Sequence, residues 1–414
     1  MILVNSMTSD VMNVLLKNEQ VQAGLDFLES DNMNTAEEQI EITAIESPTF
    51  EEQNRGSVYK KKLQELGIDD VKMDEVGNVF GIRRGTGNGP SLVVCAHLDT
   101  VFPAGTDVVA KRIDGKIFAP GISDDGRGLA SVLTIIRALN ASAIKTTGDL
   151  IIGATVCEEG LGDLKGVKHL FDTRDDIDGF ISIEPGNPER ITYLGTGSKR
   201  YIVTYKGPGG HSFGSFGTAN PIHALGRAIA EISSLETPAI PKTTFNVGVI
   251  NGGTSVNTIS ETASMTIDLR SNEQRELVKL EERVLDIVHK AANAENACWG
   301  KNDEVIVECK AVGSRPAGTQ SEDSCIVQTA LASTIALGFE PVLDEASSTD
   351  SNVPIHLGIP AVTLGGGGDA GGFHTLEEYF DPTDAHFGVQ KVFLTIIALL
   401  GCDGVSNPLL ERRR

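Results

Sequence analysis

The chain has 414 residues, 40% of them hydrophobic, with 35 Lys and Arg against 57 Asp and Glu for a formal charge of −22. That length and apolar fraction allow two domains with full cores and exclude global disorder. The acidic balance argues against a nucleic-acid or anionic-membrane partner.

Residues 1 to about 33 read as one or two helical pieces. Residues 37–45 keep helical spacing as far as Ser47-Pro48, where proline turns the preceding residue away from helix. A second amphipathic helix spans 51–66 and stops at Gly67. Short strands at 71–76 and 78–82 follow, and then an apolar run at 92–96 that ends on His97, with Asp99 two residues on. Residues 111–118 carry an Asp-Gly hairpin signal. The segment Gly121-Ile122-Ser123-Asp124-Asp125-Gly126-Arg127-Gly128 precedes a helix at 129–139 that is apolar nearly all round. Strands at 150–156 and 179–183 end in Cys157-Glu158-Glu159-Gly160 and Glu184-Pro185-Gly186. Strands alternating with helices predict an α/β domain, whose chemistry gathers beyond the carboxyl ends of its strands.

At Ser198 the pattern changes. A strand at 199–205, the run Gly207-Pro208-Gly209-Gly210-His211-Ser212, a helix at 221–233, strands at 244–250 and 263–270, a helix at 273–292 and a strand at 304–310 follow. That order is ferredoxin-like, so 198–310 reads as an inserted α+β domain. It divides a catalytic domain with a mixed sheet flanked by helices into 1–197 and 311–414. The second part has a helix at 324–336, and a strand at 361–364 that runs into Gly365-Gly366-Gly367-Gly368. His374 and a closing helix at 383–400 complete it. The glycine run is expected to let backbone pass near the site.

The six cysteines, at 95, 157, 298, 309, 325 and 402, have no Cys-x-x-Cys spacing, which argues against thiolate zinc and fits a reducing compartment. The first residues lack a basic n-region, and the late apolar run at 392–400 is too short to span a bilayer. The expected location is cytoplasmic.

The candidate ligands are therefore His97, Asp124, Glu159, Glu184 and His374. Imidazole and carboxylate without thiolate suit catalytic zinc, cobalt or manganese. Five such donors are too many for one open tetrahedral zinc and suit two metals sharing a carboxylate, about 3.5–4 Å apart. Asp124, in a loop between ligand-bearing strands, is the expected bridge. Asp99 can accept the second ring N–H of His97 and fix its tautomer. Adjacent residues at a strand end point differently, so Glu159 can bind metal while Glu158 serves as general acid/base. A phosphate loop is the rival reading of the Gly-rich segment, but the Walker pattern is absent and two adjacent aspartates would repel phosphate.

His97-x-Asp99, Gly121-x-x-Asp124-Asp125-x-x-Gly128, Glu158-Glu159, Glu184-Pro185 and the late His374 together resemble the di-zinc peptidase and amidohydrolase family. That family includes glutamate carboxypeptidase, acetylornithine deacetylase, succinyl-diaminopimelate desuccinylase, aminoacylase and peptidase T. The resemblance spans roughly 34 to 414. It implies two Zn2+ per subunit, with His97 and Glu184 on one, Glu159 and His374 on the other, and Asp124 bridging through a cis Asp124–Asp125 peptide. It also implies that the inserted domain is a lid that forms a homodimer, and that His211 stabilises the oxyanion in the partner's site. Asn257, Arg270 and Arg315 match substrate-binding positions, an arginine being suited to grip a carboxylate. The substrate expected is a small peptide or an N-acyl amino acid. Glu184, where some members carry Asp, leans toward the carboxypeptidase and aminoacylase side. A peptidase T-like aminopeptidase, or a non-catalytic binding protein on the same scaffold, is the alternative.

Overall fold

The computed structural model describes residues 4–413, so the first three residues of the N-terminal extension lie outside it. It divides into two compact units, residues 1–195 with 319–414 and residues 196–318.

The first unit is built on an eight-stranded mixed sheet. Its order is Asp69–Met73, Val79–Arg83, Asp149–Thr155, Ser91–His97, Gly179–Glu184, Ala361–Gly365, Arg190–Thr192, Val342–Leu343. The middle four strands run parallel, and their partners at the carboxyl end include His97 with Thr155 and Glu184 with Gly365. These four strands are buried on both faces, which is why they read as continuous apolar runs rather than as alternation. Leu92, Val94 and Ala96 join the larger core, with the helices Gly126–Ala141 and His386–Leu400. Val93 and Cys95 point the other way, onto Leu164, Val167 and Leu170.

The N-terminal extension forms the helices Ser6–Leu15 and Glu19–Ser30, each opened by an asparagine whose side chain accepts main-chain N–H groups. Both are part of the larger core through Met12, Leu15, Val21, Leu25 and Leu28. Gly24 sits so close to Phe393 that a Cβ would lie 2.5 Å from its ring. The closing helix also buries Lys391 completely, with its ammonium donating to the Arg190 carbonyl at 2.6 Å. Burial pushes that ammonium down to about 7, against the opposing charge of Glu189.

The second unit is a four-stranded antiparallel sheet, Thr243–Gly252, Thr262–Ser271, Gly197–Lys206, Ile306–Arg315, with helices Pro221–Ile232 and Gln274–Cys298. Burial alternates strictly along Thr262–Ser271, with Ala263, Met265, Ile267 and Leu269 in a core shared with Leu225, Leu280, Val284 and Val288. Element order and strand order together are ferredoxin-like.

The short strands Arg190–Thr192, Val342–Leu343, Asp369–Gly371 and Tyr379–Asp381 carry too few residues to show a period, and nothing in the sequence announces them. Among the described residues no helix is long and apolar enough to cross a membrane.

Candidate metal centre

All five expected ligands come together beyond the carboxyl ends of the parallel strands: His97, Glu159 and Glu184 at or just past strand ends, Asp124 and His374 from turns. Nε2 of His97 lies 3.0 Å from Oδ1 of Asp124 and 3.9 Å from Oε2 of Glu184. Nε2 of His374 lies 3.1 Å from Oδ2 of Asp124 and 3.0 Å from Oε1 of Glu159. The two oxygens of Asp124 thus face different histidines, the arrangement a bridging carboxylate requires. The Asp124–Asp125 peptide is cis.

Asp99 acts differently from the expectation. Nδ1 of His97 donates to the main-chain carbonyl of Asp99 at 2.9 Å, while the carboxylate is 3.6 Å away, too far for a hydrogen bond. A carbonyl can only accept, so Nδ1 carries a proton all the same, and Nε2 is the ring nitrogen turned toward Asp124. The carboxylate is taken up elsewhere: it accepts the main-chain N–H groups of Glu158 (2.9 Å) and Glu159 (3.0 Å) and the hydroxyl of Thr49 (3.0 Å). It therefore holds the pair of glutamates, while its charge still acts on the ring of His97 from 3.6 Å.

Asp125 also lies near the ligands, and His97, Asp125 and Glu184 offer donor atoms within 4.8 Å of one another, as do His97, Asp124 and Glu159. Both oxygens of Asp125 are already engaged, one by the N–H of His97 and one by the N–H of Gly128, each at 3.0 Å. Asp125 is thus the N-cap of the following helix and a brace for the His97 strand, and Asp124 is the better ligand. Gly128 is required beside it, since a Cβ there would lie 2.3 Å from the Asp125 carboxylate.

Charge in this centre is heavily one-sided. Asp99, Asp125, Glu158, Glu159 and Glu184 are all buried. Burial pushes Glu184 and Asp125 well above the usual carboxylate range. Burial also opposes ionisation of Asp124, yet hydrogen bonds from His374 and His97 hold it low. Hydrogen bonds to Asp124 and Glu159 push His374 up to about 10. Burial lowers His97, but Asp124, Asp99 and Glu184 outweigh it and hold the ring well above the ordinary range. Fully buried Arg55 donates to the carbonyls of Ile45 and Leu98, in the field of Asp99 and Asp125. Burying this many carboxylates is costly without further positive charge, and hard or borderline divalent cations would supply it. The donor set fits the metals that the sequence predicts.

Several expectations are placed elsewhere. The glycine run 365–368 packs backbone on backbone: a Cβ on Gly365 would lie 2.4 Å from the Gly186 and Asn187 carbonyls, and one on Gly367 2.1 Å from the Ala385 carbonyl. Its close approach is to neighbouring loops and to the main chain of the ligand Glu184, which Gly365 pairs and whose carbonyl accepts the Gly366 N–H. In the second unit, His211 and Asn257 come together, with Ser212 donating to the Asn257 carbonyl at 3.0 Å and His211 paired to Thr258. Arg270 is ion-paired to Asp268 at 2.7 Å. Register places Arg270, Ser198 and buried Arg315 in one row across three strands, so their side chains leave the same face. Thr49, Arg55 and Asp125 are not singled out as site residues by sequence. The adjacency of Asp125 to Asp124 was the one local signal available.

The sequence profile of Peptidase family M20/M25/M40 matches residues 93–398. The Bacillus subtilis protein YqjE is 27% identical over 344 residues, 79% of this chain and 88% of that one. Succinyl-diaminopimelate desuccinylase of Methylobacillus flagellatus is 26% identical over 280 residues, 63% of this chain and 74% of that one. Among solved structures, aminopeptidase PepT of Bacillus cereus superposes with a TM-score of 0.73 at 23% identity, covering 88% of this chain and 98% of that one. The profile spans the His97, Asp124, Glu158-Glu159, Glu184 and His374 motifs in order, and the chain belongs to Peptidase family M20/M25/M40.

Proposed function

We propose that this protein is a metal-dependent hydrolase that cleaves an amide or peptide bond in a small peptide or an N-acyl amino acid. The observation that carries this reading is Asp124, whose two oxygens meet His97 at 3.0 Å and His374 at 3.1 Å. His97 and Glu184 would hold one zinc ion and Glu159 and His374 a second, with Asp124 shared; cobalt or manganese suits the same donors. Bound cations of this kind supply Lewis acidity and make water a nucleophile at neutral pH.

Glu158 takes a proton from the attacking water and passes it to the leaving amine. Its main chain is tied to Asp99, which also holds Glu159, so acid/base and ligand are oriented by one buried carboxylate. Nδ1 of His211 accepts the N–H groups of Phe213 and Gly214, at 3.3 and 3.2 Å. The neutral ring therefore carries its proton on Nε2, as a donor to the oxyanion must. Asn257 contacts the substrate beside it, and Arg270 and Arg315 bind a substrate carboxylate.

The second unit serves as lid and as homodimer contact. The edge strand Thr243–Gly252 supports the dimer, since it carries no charged residue to discourage pairing with a second copy. Six free cysteines support a cytoplasmic location.

The test is a panel of N-acyl amino acids and end-blocked di- and tripeptides, assayed with zinc, cobalt or manganese. Hydrolysis that requires a free substrate carboxylate, and that stops on chelation, is expected. Cleavage requiring a free amine but no free carboxylate would make the protein an aminopeptidase. No hydrolysis with any of the three metals overturns the reading.

A further inference from the structure

We propose that Glu378 is a positioning residue for the shared ligand Asp124, one arm of a reciprocal clamp between two distant stretches of chain; this rests on the two-metal reading above. Glu378 is fully buried at the entry to the strand Tyr379–Asp381, four residues after His374. Its Oε1 accepts the main-chain N–H groups of Ser123 (2.8 Å) and Asp124 (2.9 Å), and its Oε2 accepts that of Gly121 (3.0 Å). Three donors of one turn thus converge on one carboxylate, the concave arrangement of N–H groups that suits an anion. The Ser123 hydroxyl adds a bond to the Tyr379 carbonyl at 3.1 Å, and the Ala119 N–H one to the Glu378 carbonyl at 3.1 Å.

The second arm runs the other way. Arg127, two residues past Asp125, is buried and sends Nε to the Gly366 carbonyl at 2.8 Å and Nη2 to the Ala385 carbonyl at 2.9 Å. Gly366 in turn donates its N–H to the carbonyl of the ligand Glu184 at 2.9 Å. Residues 119–128, which carry Asp124, and 366–385, which carry His374, therefore hold each other through charged side chains in both directions.

The site needs this because His374 is the least enclosed ligand, with its side chain 53% exposed. Its ring meets Asp124 only if the segment carrying it is anchored, and Glu378 is the buried anchor nearest to it. Outer partners of this kind typically set metal affinity by 10–100-fold.

The test compares wild type, Glu378→Gln and Glu378→Ala after metal removal. Cobalt uptake is followed by visible absorption, and the melting of each metal-free protein is recorded alongside. In Glu378→Ala both cobalt equivalents should bind more weakly, because Asp124 is shared, and the one that also uses His374 should lose more, about 10–100-fold. Glu378→Gln should lose less, because its amide oxygen can keep the Ser123 and Asp124 donors while its NH2 faces Gly121. Wild-type affinity at both sites in both variants overturns the proposal. So does an equal loss at both sites that follows the melting temperature, or collapse of both variants, since each makes Glu378 merely structural. If only Glu378→Ala fails to fold, Glu378→Gln decides by the same criteria. A wild type that binds no cobalt overturns the two-metal reading and this proposal with it, whereas two sites left untouched by both substitutions overturn the clamp alone.

Discussion

The candidate metal centre and the residues of the second unit proposed to bind substrate are built on opposite plans. In the centre, His97, Glu159 and Glu184 are buried at the ends of parallel strands, and two further buried carboxylates, Asp99 and Asp125, grip the backbone that carries them. In the second unit, His211 and Asn257 are exposed on a pairing only two residues long, Gly210–His211 with Thr258–Ile259. Ligands proposed to converge on shared cations tolerate little displacement, and these three are fixed through the sheet. Residues proposed to meet a diffusing substrate have to remain reachable, and these two are held by local bonds, the His211 ring accepting from Phe213 and Gly214 and the Ser255 hydroxyl donating to Asn257.

That contrast can be broken in several ways. The largest effect should come from Glu158→Ala, which should lower kcat about 10²–10⁴-fold, as expected for a general acid/base, while metal uptake is preserved. Parallel turnover and metal analysis checks this, and wild-type turnover would return the non-catalytic reading to consideration. His211→Ala should cost about 10²–10³-fold in kcat, the usual loss for one oxyanion donor. Because the side chain is exposed, its melting temperature should stay at the wild-type value; a large drop would show that the second unit's loop is structural after all. Asp99→Asn should weaken metal binding about 10–100-fold and also lower the melting temperature, since one amide cannot accept from both glutamate N–H groups and Thr49. Unchanged binding would mean that the strand ends hold the glutamates without Asp99.

A last test lies away from both regions, is read in stability rather than in activity or metal binding, and calibrates what burial alone does to a charge. Lys391 is held near 7 in the folded protein by burial, against 10.5 for the ordinary side chain. Between those values the unfolded chain binds the extra proton, so stability rises with pH through that window, by at most about 1.4 kcal/mol per pH unit. Urea midpoints at pH 7 and pH 9.5 should therefore climb more in wild type than in Lys391→Met. Equal changes would show that the ammonium is charged throughout.

Much of the first unit was legible because its signals are local. The apolar runs at 92–96, 150–156 and 179–183 appear as Ser91–His97, Asp149–Thr155 and Gly179–Glu184, each shifted by a residue or so at its ends. The Asp114-Gly115 turn joins Lys111–Ile113 to Lys116–Phe118 as read. Histidine partners are less legible: His169 lies 3.1 Å from Glu75 and His223 3.5 Å from Glu295. Those partners are distant in sequence, and no periodicity reports them.

By itself the sequence determined the kinds of donor, their order along the chain and their place at strand ends, because residue chemistry and hydrophobic period are properties of short stretches. Only the tertiary structure decided which atoms meet. It gave His97 the carbonyl of Asp99 in place of its carboxylate, made Asp125 a brace beside the ligand Asp124, and aligned Arg270, Ser198 and Arg315 across three strands. It also set Glu378 against a turn some 254 residues earlier. Such meetings depend on register and loop path, which are settled when the whole sheet assembles and leave no trace in the spacing of neighbouring residues.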